Sequence, residues 1–116
     1  MSARDKKDTN GNSCGVITTI SVVNGKYKLE IVRALLYQGG PMRFGALRRL
    51  VASASQKTLT RNLRDLERDG ILKREVFAEV PPRVEYELTQ AGRDLMPVFL
   101  AMKSWGEARL AEAVAG

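Results

Sequence analysis

Four cationic side chains recur at helical spacing in the segment SQKTLTRNLRDLERDG, which runs from Ser55 to Gly70. At about 100° per residue they fall in one narrow sector of a helix, with Thr60 and Asp65 beside them. This basic face consists of Lys57, Arg61, Arg64 and Arg68. Such a row of ammonium and guanidinium groups can neutralise nucleic-acid phosphates and donate hydrogen bonds to base edges. Taken alone, the same pattern is more often a solvated helix surface.

The side of this segment opposite the basic face is apolar. Leu59, Leu63 and Leu66 recur at i, i+4 and i+7. This spacing predicts an amphipathic helix whose leucines pack on a core. The basic face would then point away from the domain, where a partner could reach it.

A second, shorter helix is predicted directly before this one. The segment MRFGALRRLV, residues 42–51, places its apolar side chains on one helical face, and the small polar run ASAS separates it from the next helix. That next helix is expected to begin with Ser55 as its N-cap, or with a capping box made by Ser53 and Gln56. Helix, short turn and helix form a helix-turn-helix pattern in which the second helix carries the basic face.

Further elements are predicted on both sides of this pair. KYKLEIVRALLYQGGP predicts an earlier helix that stops at residues 39–41. Beyond Gly70, the segments ILKREVF and VEYEL predict the two strands of a β-hairpin, the wing. The intervening AEVPPR cannot be regular strand, because Pro81 and Pro82 lack the N–H groups that a strand ladder needs.

The two ends of the domain are less sharply defined by pattern. CGVITTISVV, residues 14–23, is β-branched and apolar, so propensity favours a strand, with a short helix packed on a partner as the alternative. Thr89 is expected to cap a final helix that runs towards Ala115 with a kink at Pro97. That helix carries more apolar side chains than one face towards a small core can hide. Dimerisation is one use for them; the other reading is a core helix with a few exposed apolar residues.

Composition limits the class of protein. A chain of 116 residues with 44% hydrophobic and 28% charged residues is expected to form one globular domain. No apolar run approaches the roughly 18–20 residues that a membrane span needs. Residues 1–13, MSARDKKDTNGNS, contain no hydrophobic segment, so we expect a disordered tail rather than a signal peptide, a cytoplasmic location and no membrane partner.

Residue types also exclude several kinds of chemistry. One cysteine and no histidine exclude an internal disulfide and make a metal site unexpected. The sequence contains no Gly-rich phosphate loop and no recognisable acid–base pair. We therefore expect neither an enzyme nor a bound cofactor.

The net charge of +6 is unevenly distributed along the chain. No acidic residue occurs between Glu30 and Asp65, and that interval contains Arg33, Arg43, Arg48, Arg49, Lys57, Arg61 and Arg64. Residues 75–87 reverse the balance, with glutamates at 75, 79, 85 and 87 against the single cation Arg83. A local positive surface is what binding to a polyanion requires.

The strings RFGALRRL, SQKTLTRNLRDLERDGIL and EVPPRVEYELTQAGRDLMPV follow one another in this sequence and resemble the HxlR-type family of bacterial winged-helix transcription regulators. The resemblance runs from about Asn24 to Trp105. It implies a mainly α fold with a small β-hairpin, that is, an α+β winged helix-turn-helix. Residues 14–116 would form one DNA-binding domain, with terminal segments at a homodimer interface and the helix from Ser55 in the major groove.

The resemblance also implies a role for Cys14, because many members of this family sense electrophiles or oxidants through a cysteine just before the first helix. On this comparison, residues 14–23 are helical. A helix N-terminus favours the reactive thiolate, whereas a lone cysteine is otherwise a small packed hydrophobe. The chain departs from the family pattern in having Tyr27 where tryptophan is usual, and in lacking the further cysteine with which some members form an intersubunit disulfide.

Position along the second helix predicts a role for each candidate residue, because its N-terminal residues reach base edges and more distant ones meet phosphate. Base-edge contacts are expected from Gln56, Lys57, Thr60 and Arg61. Phosphate contacts are expected from Ser55, Arg64, Arg43 and Arg49. Arg83 in the wing could reach an adjacent minor groove or remain solvated. Gln56 could instead act only as a helix cap.

These observations favour a sequence-specific DNA-binding transcriptional regulator. The expected form is a homodimeric repressor of a double-stranded operator that responds to an oxidant or small-molecule inducer through Cys14. The alternative is a winged-helix module that binds another protein through the same surfaces. The salt dependence of binding to duplex DNA distinguishes these two functions. A DNA-binding regulator should show a steep dependence, because neutralising DNA phosphates releases counterions.

Overall fold

The computed structural model describes residues 14–115, so the disordered tail predicted for residues 1–13 lies outside the described residues. In chain order the elements are α1 Gly15–Val23, α2 Lys26–Gln38, β1 Met42–Arg43, α3 Phe44–Leu50, α4 Gln56–Arg68, β2 Leu72–Phe77, β3 Arg83–Leu88, α5 Gln90–Arg93 and α6 Met96–Ala115. Helices predominate and one small antiparallel sheet accompanies them. The predicted winged helix-turn-helix fold is confirmed.

The core lies where α2, α3, α4 and the sheet meet. Leu59, Leu63 and Leu66 are almost completely buried there, which confirms the apolar side predicted for α4. Tyr27, at the family's usual tryptophan position, packs against this core and donates its hydroxyl to the carbonyl of Ser53 at 3.3 Å. The substituted ring therefore still links α2 to the turn between α3 and α4.

Glycines end two of the helices, as predicted. Gly39 follows α2 with a φ of 74° and donates its N–H to the carbonyl of Leu35 at 3.1 Å. Gly70 follows α4 with a φ of 75°. Because side chains with a Cβ rarely adopt this left-handed conformation, glycine allows the chain to turn sharply out of each helix.

The sheet has the strand order β1-β3-β2. The predicted hairpin forms β2 and β3, and in its register Leu72 opposes Leu88, Arg74 opposes Tyr86 and Val76 opposes Val84. The third strand, β1, was not predicted, because two residues cannot show the alternation that identifies a strand. It pairs with β3 through partners distant in sequence and fastens the hairpin to α3.

The prediction of a strand at residues 14–23 is wrong, since Gly15–Val23 form α1. No strand in residues 14–115 pairs with this segment, so its backbone hydrogen bonds are made locally, as from the N–H of Thr18 to the carbonyl of Cys14 at 2.9 Å. Thr19 and Ser21 also bond back to carbonyls one turn earlier. Local bonding overrides β-branched propensity here. The helix that the family resemblance implied for this segment is the one observed.

The prediction of one kinked terminal helix is also corrected. Thr89 caps a helix as expected, because its hydroxyl oxygen accepts the N–H of Gly92 at 3.1 Å. That helix, α5, ends at Arg93, and α6 starts at Met96. Pro97 occupies the first turn of α6, where its missing N–H has no cost, and its ring disfavours a helix continuing from α5.

Candidate nucleic-acid interface

The start of α4 is fixed by a side-chain cap. Ser55 accepts the N–H of Thr58 on its hydroxyl oxygen at 3.1 Å and donates to the hydroxyl of Thr58 at 3.0 Å. Gln56 is not a cap: its amide oxygen accepts a hydrogen bond from Arg48 Nη1 at 3.4 Å. Of the two predicted starts, the structure has the Ser55 cap, and Gln56 links the two helices of the motif.

The exposed side of α4 brings the candidate residues of this helix together. They share one open groove that is lined by Gln56, Lys57, Thr60, Arg61, Arg64, Asp65 and Arg68. The side chains of Lys57, Arg61 and Arg64 are exposed, and none of the three forms an ion pair with a carboxylate of residues 14–115. Their positive charge is therefore available to an external anion.

Arg68, the fourth member of the basic face, differs from the other three. Its guanidinium lies 3.2 Å from Asp65 Oδ1, and the second oxygen of this carboxylate lies 3.6 Å from Lys28 Nζ on α2. Asp65 thus ties α4 to α2 and neutralises the C-terminal end of the basic face. Ion pairs of this partly exposed kind contribute about 1 kcal/mol or less to stability.

Arg43 and Arg49 lie apart from the α4 groove. Both are exposed and line a separate hollow beside α3 with Gln38, Pro41 and Met42 among its other residues. Neither forms an ion pair within the described chain. The structure therefore presents them as a second cationic surface, next to the first helix of the motif.

Arg83 occupies a different environment from the other candidate cations. Its guanidinium lies 3.1 Å from Glu79 and 3.5 Å from Glu85, and it stacks 4.0 Å above the ring centroid of Phe77. The Nε atom is buried and makes no hydrogen bond within residues 14–115. Two carboxylates thus neutralise this cation inside the wing, where it holds the hairpin tip together.

Arg74 was missed by the sequence reasoning. It opposes Tyr86 in the hairpin and lines a cleft between the hairpin and α4, together with Thr60, Arg64 and Glu67. The signal was its position in the series Leu72, Arg74, Val76, which puts a cation on the same strand face as two apolar residues. Only the packing of hairpin against helix shows what that face meets.

Cys14 is exposed and takes the N-cap position of α1. Its backbone is extended, and its side chain makes no capping hydrogen bond. The cysteine therefore stands immediately before the first described helix, where the family resemblance implied it would be.

The terminal helices expose apolar surface that the core does not use. On α1, Val16, Ile17 and Ile20 are all more than half exposed, and α6 has no buried residue along its length. The exposed large apolar residues of α6 are Val98, Leu100, Met102, Trp105, Leu110 and Val114. Patches of this kind on a small domain mark interaction surfaces.

Comparison with known proteins identifies the family. The sequence matches the family described as HxlR-like helix-turn-helix over residues 22–114. The chain belongs to this family. One relative is YdeP of Bacillus subtilis (strain 168), an uncharacterized HTH-type transcriptional regulator. The two sequences are 48% identical over 94 residues, which cover 81% of this chain and 72% of YdeP. The chain is also 44% identical over 107 residues to YybR of the same organism, and the match covers 92% of this chain and 84% of YybR.

Solved structures give the same assignment for this HxlR-like chain. The redox regulator HypR in its reduced form superposes with a TM-score of 0.80 at 42% identity, covering 89% of this chain and 100% of that chain. The oxidized form of HypR superposes with a TM-score of 0.73 at 46% identity, covering 82% of this chain and 96% of that chain. The protein is thus a transcriptional regulator of the HxlR-like type, and the expectation that it is not an enzyme is confirmed.

Two properties concern only residues 14–115. In this range no helix is both long and apolar enough to cross a membrane. The same range contains no cluster of three or more histidine, cysteine, aspartate or glutamate side chains suited to a metal ion.

The two possible caps of α4 can be distinguished by mutation. We expect Ser55→Ala to lower the free energy of unfolding by about 1 kcal/mol, because the N–H of Thr58 loses its side-chain acceptor. Ser53→Ala is the matched control and should leave the free energy of unfolding nearly unchanged, since Ser53 contributes only its backbone carbonyl, which accepts the hydroxyl of Tyr27. Urea denaturation measures both. A larger loss for Ser53→Ala than for Ser55→Ala would contradict the capping described above.

Proposed function

We propose that this HxlR-like regulator is a homodimeric repressor that binds a specific double-stranded DNA operator through α4. The observation that carries the proposal is the orientation of α4, whose leucines are buried while Lys57, Arg61 and Arg64 point outwards without a carboxylate partner in the described part of the chain. A helix-turn-helix presents its second helix to the major groove in this orientation. Repression follows if the bound dimer occupies DNA that the transcription machinery needs.

Base readout is assigned to the N-terminal half of α4. Gln56 can pair with adenine N6 and N7, and Lys57 or Arg61 with guanine O6 and N7, while Thr60 contacts either. The hydrogen bond from Arg48 uses one lone pair of the Gln56 amide oxygen, so the second lone pair can accept from adenine N6 while the amide nitrogen donates to N7.

Phosphate contacts are assigned to residues that flank the base-reading turns of α4 and to the second cationic surface beside α3. Arg64 follows the base-reading residues by one turn, Ser55 stands at the helix start, and Arg43 and Arg49 line the hollow beside α3. These groups supply attraction that is independent of sequence and decreases with salt. Arg83 stays a candidate for a minor-groove contact. Such a contact requires its guanidinium to leave its ion pairs with Glu79 and Glu85, or to bind DNA while still paired with them.

Homodimer formation is proposed for the exposed apolar surfaces of α1 and α6. Trp105 and Leu110 are about two-thirds exposed, at 66% and 68%, and Val16 and Ile17 on α1 are similarly accessible. A symmetric dimer would remove these side chains from water and place two α4 helices on one duplex. The free energy of burial is about 25 cal/mol for each square ångström of apolar surface.

A redox or electrophile response is proposed for Cys14. The support is its exposed position before α1, next to the apolar side chains proposed for the dimer interface, and the similarity of the chain to HypR, which is named a redox regulator. A modified thiol at that position would alter how two subunits dock. The reaction product stays open among an intersubunit disulfide, a mixed disulfide with a small thiol and a sulfenic acid.

Two arginine substitutions test the proposed division between base and phosphate contacts. Arg61→Ala should relax preference at particular base pairs by about 1–3 kcal/mol, because a bidentate contact is lost. Arg43→Ala should weaken binding to all duplexes about equally and reduce the salt slope by about one. Titrations of a set of single-base operator variants at several salt concentrations measure both quantities. Equal effects of the two substitutions on base preference would contradict the assignment.

Oligomeric state tests the proposed dimer surface. Leu110→Glu should shift the protein towards monomer at micromolar concentration, since a charge would enter an apolar interface. Val80→Glu is the matched control, because Val80 is fully exposed in the loop of the wing, far in sequence from α1 and α6. Light scattering reports the mass of each variant. A wild-type protein that is monomeric both alone and with DNA would refute the proposal.

Oxidation tests the role of Cys14. Diamide accepts two electrons and two protons from a pair of thiols, so any disulfide must join Cys14 to a second molecule, as the chain has one cysteine. We expect treated protein to show a covalent dimer or added thiol mass, with an altered DNA affinity. A coupling of about 1.4 kcal/mol changes that affinity tenfold. Cys14→Ser should bind like reduced protein and ignore diamide; unchanged wild-type affinity after complete thiol modification would exclude sensing through Cys14.

A further inference from the structure

The cleft between α4 and the hairpin contains two cations from different elements. Arg64 reaches it from α4 and Arg74 from β2, and the cleft has a volume of about 270 Å³. Neither guanidinium forms an ion pair with any carboxylate of the described chain, including Glu67, which lines the same cleft. Two like charges in one cleft repel each other, and an anion placed between them removes that repulsion.

The strand register explains why Arg74 faces α4. Arg74 lies directly opposite Tyr86, two pairs along from the buried pair of Leu72 and Leu88, so all four side chains share one face of the hairpin. At the Leu72 pair this face covers the core. At the Arg74 pair Tyr86 still packs in the core, while Arg74 is exposed and borders the cleft beside Arg64.

Tyr86 contributes a hydroxyl donor to the same cleft. The residue is 8% exposed and lines the cleft, and its hydroxyl makes no hydrogen bond to any residue in the range 14–115. The ring is buried while the hydroxyl itself reaches solvent, where it can donate to a hydrogen-bond partner. An acceptor oxygen held in the cleft would provide that partner.

We propose that this cleft is a binding site for one phosphate of the operator backbone, held by Arg64, Arg74 and the hydroxyl of Tyr86. The proposal rests on the proposed function, since it requires that α4 lie against duplex DNA. A phosphodiester carries a single negative charge and several acceptor oxygens, which suits two guanidinium groups and a hydroxyl donor. Glu67 limits the positive charge of the cleft, which matches a singly charged ligand better than a free phosphate dianion.

This site would act differently from the base-reading residues. Its donors come from both the second helix of the motif and the first strand of the wing, so one bound phosphate would fix the hairpin relative to α4. Because phosphate is the same at every base pair, the site contributes affinity and register on the duplex without direct base preference. Its loss should therefore leave the preferred operator sequence unchanged.

Substitutions that remove the charge of Arg74 or of its neighbour Lys73 test whether the cleft binds a phosphate. Arg74→Gln should weaken operator binding about tenfold and lower the salt slope by about one, with base preference unchanged. Lys73→Gln removes the same charge from the other strand face, where Lys73 pairs with Glu87 at 3.4 Å, and should have little effect. Glu67→Gln should tighten binding, because it raises the positive charge of the cleft. Weaker binding of Glu67→Gln would instead indicate a structural arginine–glutamate contact and would overturn the proposal.

A series of operator duplexes, each with one phosphate replaced by a neutral methylphosphonate, locates the phosphate that the cleft binds. Wild-type protein should lose affinity at one position in each half-site, and Arg74→Gln and Tyr86→Phe should be insensitive to the change at that position. Sensitivity in both variants equal to that of wild type would overturn the proposal. Tyr86→Phe keeps the buried ring, so it tests the site even if the arginine variant is unstable.

The outcomes separate this site from the proposed function. If Arg61→Ala impairs binding while Arg74→Gln matches Lys73→Gln, the phosphate site is wrong and operator binding through α4 stands. If wild-type protein binds no duplex, the proposed function and the phosphate site both fail.

Discussion

The packing of the leucine side of α4 determines the orientation on which the interface depends. Leu59, Leu63 and Leu66 are buried against α2 and the start of β2, so rotation of α4 about its axis would expose apolar surface to water. With that rotation fixed, the residues half a turn away must face outwards. The Ser55 cap fixes where the helix begins, which sets the first side chains available to a partner.

Acidic residues are distributed so that they leave this outward face positive. Asp65 is engaged by Lys28 and Arg68, and the glutamates of the wing tip pair with Arg83. The three cations at the N-terminal and central turns of α4 have no such partner among the described residues. The charge of the domain is therefore asymmetric, with one surface suited to a polyanion and a wing tip that neutralises itself.

Local sequence signals predicted the parts of the structure that local interactions control. The periodicity and cap of α4, the glycine stops and the hairpin were all correctly predicted, since each depends on residues close together in the chain. Strand β1 could not be predicted because its pairing with β3 is non-local. Propensity wrongly favoured a strand for α1, because no local signal shows that a partner strand is missing, whereas the helix implied by the family resemblance is the one observed. Arg74 was missed for a related reason: the strand face was readable, but the helix that it meets was not.

Selection of bound fragments from a pool of random duplexes tests most directly the claim that α4 reads operator DNA from a symmetric dimer. We expect an enriched inverted repeat whose half-sites lie about one helical turn apart, because two α4 helices must enter successive major grooves on one side of the duplex. Recovery of no sequence above the starting pool, with binding that is also insensitive to salt, would contradict it and favour a protein partner for the same surface.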